Sequence, residues 1–176
     1  METITLAKRS SSNQMSQLGG FFVESLKEIY WAENYLVKAL KIMANEATTE
    51  QLRQALMEHK ETTGWHIIRL EKVFNLLGKD PQGRKCYAIE GIIHEVEYAL
   101  EETVDDYFTR DVALIMNRQK AEHYEIATYV NLVQLARTLG RSDIAELLWK
   151  SLDEEKEAEE LLTGIAACYI YEESIC

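Results

Sequence analysis

Two short sequence words that contain glutamate occur twice in this chain, in the same order. Residues 32–35, Ala-Glu-Asn-Tyr, recur as Ala-Glu-His-Tyr at 121–124, and residues 58–62, Glu-His-Lys-Glu-Thr, recur as Glu-Glu-Lys-Glu-Ala at 154–158. Each half of the chain thus has one glutamate followed by a Glu/His cluster. A four-helix bundle assembles a carboxylate-rich metal site from facing helices in this way, so the repeat predicts such a site.

The elements that must position these residues are helices. Apolar residues recur at helical spacing over most of the 176 residues, glycines are few, and Pro81 is the single proline. The sequence therefore predicts one all-α domain at residues 18–167. A flexible, serine-rich N-terminal arm at 1–17 and a C-terminal tail at 168–176 are expected to flank it.

The apolar stripes, their caps and their glycine stops predict five helices. A capping box at Thr48 and Gln51 marks the start of the second helix. Short links join the first helix to the second and the fourth to the fifth, so the predicted fold is a four-helix bundle of two antiparallel hairpins. The third helix would cross over between the hairpins. The predicted ranges are about 22–44, 48–77, 86–105, 110–139 and 142–167.

The predicted inward stripes place several glutamates and histidines at similar heights in the bundle. Glu33 and His59 both lie about 17 to 20 Å from the first hairpin turn. In the second hairpin Glu159 matches the height of Glu122 best, and Glu155 lies about one turn away. We therefore predict a metal site with the ligands Glu33, His59, Glu122, Glu155 and Glu159, and with Glu125 and His66 as weaker candidates.

Buried carboxylates need either a proton or a positive partner, because an unpaired charge is costly in a core. A bound divalent cation would neutralise several carboxylates together. Carboxylate oxygens with one or two imidazoles suit iron or manganese, and zinc is also compatible. The alternative is that the inward glutamates pair with a basic residue, for example Lys38, Lys120 or Lys156, and that no metal is bound.

Composition and charge narrow the classes of partner. The formal net charge of -11 is spread along the chain, which argues against nucleic acid and anionic membranes. No apolar run approaches the length of a membrane span, and no signal-peptide pattern is evident. The three cysteines lack paired metal-ligand spacing, so we expect reduced thiols in a cytoplasmic protein.

Several segments together resemble the bacterial YciE/YciF stress-protein family over residues 20–167. The resemblance implies a ferritin-like, rubrerythrin-like bundle, a homodimer, a di-metal centre and expression under osmotic or stationary-phase stress. It implies no established reaction, and iron oxidation or peroxide reduction is the chemistry expected of such a centre. The run 119–127 is the most specific of the matching segments, and the others are 30–33, 58–61, 86–91, 110–111 and 152–156.

The sequence departs from the usual ligand pattern of this fold at two points. Di-iron bundles have Glu-x-x-His on two helices, and the chain contains no such motif. Family members tend to have a further glutamate where this chain has Thr62. These departures are compatible with a site that is mononuclear, weak or empty. A non-enzymatic, metal-free helical scaffold or interaction protein is therefore the alternative function.

Overall fold

Five α-helices make up the part of the chain that the structure describes. The structure is a computed structural model, and it describes the backbone of residues 2–172 and the side chains of residues 14–168. The all-α prediction is confirmed, and no helix within this range is long and apolar enough to cross a membrane. The helices are α1 (Glu2–Glu46), α2 (Glu50–Leu76), α3 (Tyr87–Glu102), α4 (Tyr107–Thr138) and α5 (Ser142–Glu172).

The helices pack as two hairpins joined into a bundle. Helix α1 packs along α2, and α4 packs along α5. The links 47–49 and 139–141 are so short that each pair must be antiparallel. Contacts of α2 with α5 and of α1 with α4 join the hairpins, while α3 connects them and packs against α4 and α1. The predicted ferritin-like four-helix bundle with an additional crossover helix is confirmed.

The core consists of apolar side chains from all five helices. In α1 the buried positions follow one helix face at spacings of three or four residues, as an amphipathic helix requires. Glu33 lies in the middle of this face and is fully buried. The other buried members of the predicted stripe are Phe22, Leu26, Ile29, Leu36 and Leu40.

The helix ends differ in places from the predicted ones. Helix α1 begins at Glu2 and so runs through the segment predicted to be a flexible arm, since residues 2–17 contain no proline or glycine to end it. Helix α5 continues to Glu172, and residues 173–176 of the predicted tail lie outside the described residues. Gly78 and Gly140 follow α2 and α4 with φ values of 64° and 72°, a conformation that suits glycine after a helix end.

The start of α2 is fixed by a residue of another helix. The predicted capping box at Thr48 and Gln51 is wrong, because Thr49 is the N-cap residue and makes no side-chain capping bond. Instead the buried Asp111 of α4 accepts hydrogen bonds from the backbone N–H of Thr48 at 2.7 Å and of Thr49 at 2.9 Å. The Thr49 hydroxyl donates a third bond to Asp111, at 2.8 Å. This carboxylate therefore joins the two hairpins at one end of the bundle.

Candidate metal centre

Four helices of the bundle contribute polar side chains to one buried cluster. On α4 these residues follow the inward stripe at spacings of three and four, so successive turns point into the same space. None of the side chains in the cluster is more than 8% exposed. The polar cluster consists of Glu33 from α1, His59 and His66 from α2, Arg118, Glu122, Glu125 and Tyr129 from α4, and Glu155 from α5.

Within the cluster the candidate ligand atoms form two groups that share Glu155. The ligand atoms of each group lie within 4.8 Å of one another. The His66 group consists of Glu33, His66 and Glu155. The His59 group consists of His59, Glu122, Glu125 and Glu155. The structure thus brings together all the predicted ligands except one, including the two weaker candidates.

Glu159 belongs to neither group. Its side chain is half-buried and accepts a hydrogen bond from the Thr163 hydroxyl at 2.9 Å. Counting residues from the turn gives correct heights only when both helices leave the turn at the same height. An offset of one helical turn, about 5.4 Å, moves the partner of Glu122 from Glu159 to Glu155.

His66 is held on both sides of its ring by carboxylates. Its Nδ1 atom lies 2.9 Å from Glu155 Oε1 and 3.3 Å from Glu33 Oε1. Its Nε2 atom lies 2.9 Å from Glu154 Oε2. Arg69 fixes Glu154 in turn, with two hydrogen bonds of 2.6 and 2.5 Å. A metal-ligating histidine usually donates its second ring N–H to such a carboxylate, so Nδ1 is placed as a ligand atom.

The charges around His66 favour its protonated form when no metal is bound. Burial alone would lower the pKa of His66, but the charge of Glu33 and the bonds to Glu154 and Glu155 raise it to about 12. Burial alone would raise the pKa of Glu154, but the bonds from His66 and Arg69 outweigh it and lower this pKa to about 2. A cation that binds Nδ1 must therefore displace one proton from His66.

Arg118 lies at the centre of the His59 group. Its Nε atom lies 2.7 Å from Glu122 Oε1, and one Nη atom lies 3.0 Å from Glu125 Oε2 and 3.9 Å from Glu155 Oε2. The same Nη atom lies 2.6 Å from His59 Nε2. Burial lowers the pKa of His59 well below its usual value, and the Arg118 charge lowers it further. His59 is therefore neutral, and its Nε2 atom accepts a hydrogen bond from the guanidinium.

The carboxylates of the cluster retain unused capacity for a cation. Burial raises the pKa of both Glu122 and Glu125 well above the usual value, although the Arg118 charge opposes this. The hydroxyl of Tyr129 donates to Glu33 Oε1. Even so, all four carboxylates of the cluster have at least one buried oxygen that makes no aligned hydrogen bond. Buried polar atoms normally have a partner, so this donor set fits a divalent cation.

A pocket of about 220 Å³ connects the cluster with the surface of the bundle. His59, Arg118 and Glu122 line its inner part. Thr62 and Ala158, which occupy equivalent positions in the two repeated words, also line it. Both side chains are small and leave space in this part of the pocket.

Comparison with known proteins agrees with this fold. A family model described as "Domain of unknown function (DUF892)" matches residues 17–174. The chain belongs to the DUF892 family. A relative, Protein YciF of Escherichia coli strain K12, is 39% identical over 153 residues, which cover 86% of this chain and 92% of YciF. The predicted resemblance to the YciE/YciF stress proteins is thus confirmed.

Two solved structures of relatives match this DUF892 protein closely. One is the E. coli stress protein YciF, with a TM-score of 0.83, 37% identity, and coverage of 88% of this chain and 97% of that chain. The other is YcfI from Rhodopseudomonas palustris, described as "a putative structural protein". Its TM-score is 0.81 at 40% identity, with coverage of 83% and 92% of the two chains.

In this DUF892 protein each Glu-x-x-His motif of the di-iron pattern is half present. His66 lies three residues after Thr63, whose buried hydroxyl donates to the His59 carbonyl at 2.9 Å. Ala158 lies three residues after Glu155. Helix α2 therefore has the histidine without its glutamate, and α5 has the glutamate without its histidine.

The residue that sequence reasoning missed is Arg118. The sequence-based alternative was an ion pair between an inward glutamate and a basic residue, with three lysines as examples. Of these lysines, Lys120 instead pairs with the exposed Glu95 at 2.5 Å. Arg118 lies four residues before Glu122 and therefore shares its helix face. This spacing could have predicted the ion pair, because a basic residue on the same inward stripe as the glutamates can pair with their carboxylates.

Proposed function

We propose that this protein is a ferritin-like, cytoplasmic stress protein that binds one divalent transition-metal ion through the His66 group, as a homodimer. The observation that supports the proposal is the setting of His66. Glu154 holds Nε2, while Nδ1 faces the buried carboxylates of Glu33 and Glu155. This donor set suits iron or manganese, and zinc is also compatible. When bound, a redox-active ion supplies the electron-transfer step of iron oxidation or peroxide reduction.

The residues of the chain have separate tasks in this proposal. Glu33 and Glu155 would supply carboxylate oxygens that make no aligned hydrogen bond in the protein. His66 would release the proton on Nδ1 and keep its Nε2–H bond to Glu154. The Tyr129 hydroxyl would hold the Glu33 carboxylate in place through its bond to Oε1. Burial of the group keeps bulk water from the ligands, which strengthens each electrostatic contact.

The test is the metal content of the purified full-length protein. The protein is prepared without chelator, loaded anaerobically with ferrous iron, manganese(II) or zinc(II), desalted, and measured by elemental mass spectrometry. We expect one equivalent per chain, lost in Glu33→Gln and in His66→Ala because each removes a ligand. His94→Ala is the control, since His94 is exposed, lies outside the polar cluster and pairs with Glu97 of its own helix. Wild-type protein that retains no metal under any of these conditions contradicts the proposal.

A metal-free scaffold remains the second candidate, because the cluster can balance its own charge. The raised pKa values of Glu122 and Glu125 favour protons on these two carboxylates. Burial raises the pKa of Glu155 as well, and Arg118 and protonated His66 supply positive charge beside the carboxylates. The measurement of metal content separates the two candidates. A scaffold protein would be folded and would bind no metal, with or without His66.

A further inference from the structure

We propose that the Arg118 guanidinium takes the place of a second metal ion in the His59 group. The centre then holds a single ion, and removal of the guanidinium opens a second metal site. The inference rests on the proposed function for the first ion, at the His66 group. It assigns a structural cause to the departure of this chain from a di-metal centre.

One guanidinium contacts the entire donor set of the His59 group. All four side chains of the His59 group lie within 2.6 to 3.9 Å of nitrogen atoms of Arg118. Ligand atoms bind a transition metal at about 2.0 to 2.2 Å. An ion at that distance from these same atoms would overlap the guanidinium nitrogens, so the two cations exclude each other.

His59 meets the guanidinium as a ligating histidine would meet a metal ion. A guanidinium only donates hydrogen bonds, so the contact with Arg118 uses the nitrogen lone pair of His59. Its Nε2 lone pair points at the Arg118 guanidinium, 2.6 Å away, rather than at a carboxylate. The histidine is thus oriented towards a cation, as it would be in a metal site, and the cation belongs to the protein.

The charge on Arg118 is permanent. Arginine stays protonated inside proteins, so the guanidinium cannot yield its position by losing a proton. The side chain is 1% exposed, and Glu122 and Glu125 hold it from its own helix. A histidine in this place could be displaced by a metal ion through deprotonation at neutral pH. Arg118 cannot, and this difference makes the exclusion of a second ion stable.

The experiment compares metal stoichiometry in Arg118→Gln, Arg118→Lys and wild-type protein. Each full-length chain is titrated anaerobically with zinc(II) alone and with manganese(II) alone, desalted and measured by elemental mass spectrometry. We expect one equivalent in wild type and in Arg118→Lys at neutral pH, where the ammonium still occupies the group. We expect two equivalents in Arg118→Gln, together with a larger rise in the melting temperature on adding metal.

A charge-balanced pair keeps the test decisive if Arg118→Gln does not fold. Arg118→Gln combined with Glu125→Gln removes one positive and one negative group, and Glu125→Gln alone is its reference. The double variant retains His59, Glu122 and Glu155, so it should bind one more ion than the reference.

The outcomes separate this inference from the proposed function. The inference depends on the increase when Arg118 is removed, and an equal stoichiometry with and without Arg118 overturns it. Two ions in wild type also overturn it. The proposed function depends on wild type alone, so wild type without metal contradicts that proposal, while a gain in Arg118→Gln would still support the role of Arg118.

Discussion

Replacement of Glu154 by glutamine tests whether this carboxylate prepares His66 for metal binding. Glu154 is not a member of either ligand group, but it lies 2.9 Å from His66 Nε2 and is fixed by Arg69. Glutamine preserves the shape of the side chain and removes its charge. Loss of such an outer carboxylate costs about 10- to 100-fold in metal affinity in other proteins, or about 1.4 to 2.8 kcal/mol.

Two features of the site place the expected effect of Glu154→Gln at the lower end of this range. The Glu154 side chain is 32% exposed, so solvent screens part of its charge. In addition, its bond to Nε2–H is present both in protonated His66 and in the metal-bound form. Glu154 therefore affects the metal affinity through only two effects, its attraction for the extra positive charge of the metal and its orientation of the His66 ring. We expect about a tenfold loss in affinity.

The assay is a competition titration of zinc(II) between the protein and a chromophoric chelator at fixed pH and ionic strength. Asp153→Asn is the matched control, because it removes the same charge from the neighbouring, exposed position of α5. We expect its affinity to stay within about twofold of wild type, since an exposed charge is screened. Equal losses in the two variants, or no loss in Glu154→Gln, would refute the assigned role of Glu154.

Three further measurements probe the cluster and its support. Because the His66 pKa is raised to about 12 and the metal displaces one of its protons, zinc affinity should rise about tenfold per pH unit between about pH 6 and 8; a flat profile would contradict this. Arg118→Gln should lower the free energy of unfolding of the chelator-treated protein in urea by about 3 to 5 kcal/mol, and a loss under about 1 kcal/mol would show that the carboxylates need no internal cation. Asp111→Asn should cost about 1.5 to 3 kcal/mol in the same assay. The exposed α4 cap variant Asp106→Asn should cost much less, because asparagine caps a helix about as well as aspartate, and equal costs would exclude a special role for Asp111.

The bundle was predictable because its determinants are local in sequence. The stripe from Phe22 to Leu40 has the period of a helix, and Gly78 and Gly140 follow the ends of two helices. Only residues 47–49 and 139–141 link the two helices of each hairpin. Short links then require antiparallel hairpins. The start of α2 was not predictable in this way, since its N-H groups bond to Asp111, which lies about 60 residues later in the chain.

The ligand set was predictable only in part, because height in a bundle depends on how the helices are offset. Local periodicity placed Glu33, His59 and Glu122 on inward stripes, and they are buried. The choice between Glu155 and Glu159 required the offset between α4 and α5, which residue counting does not contain. The protonation of His66 depends on residues from two other helices, α1 and α5, so the sequence of its own helix could not predict it.

The repeated words explain the skeleton of the site, and the differences between them explain its chemistry. When the words are aligned, Arg118 of the second hairpin corresponds to Ile29 of the first, and His66 of the first corresponds to Leu162 of the second. Glu125 and Tyr129 of the second hairpin likewise correspond to Leu36 and Leu40 of the first, so several cluster residues have aliphatic counterparts. Arg118 lies at the centre of the His59 group and His66 belongs to the other group, and the two groups share only Glu155. Two similar hairpins therefore form two different ligand groups. In the His66 group an imidazole faces carboxylates, and the His59 group contains the guanidinium of Arg118 as its own cation. The asymmetry favours one metal ion per chain, because Arg118 occupies one half and His66 faces carboxylates in the other.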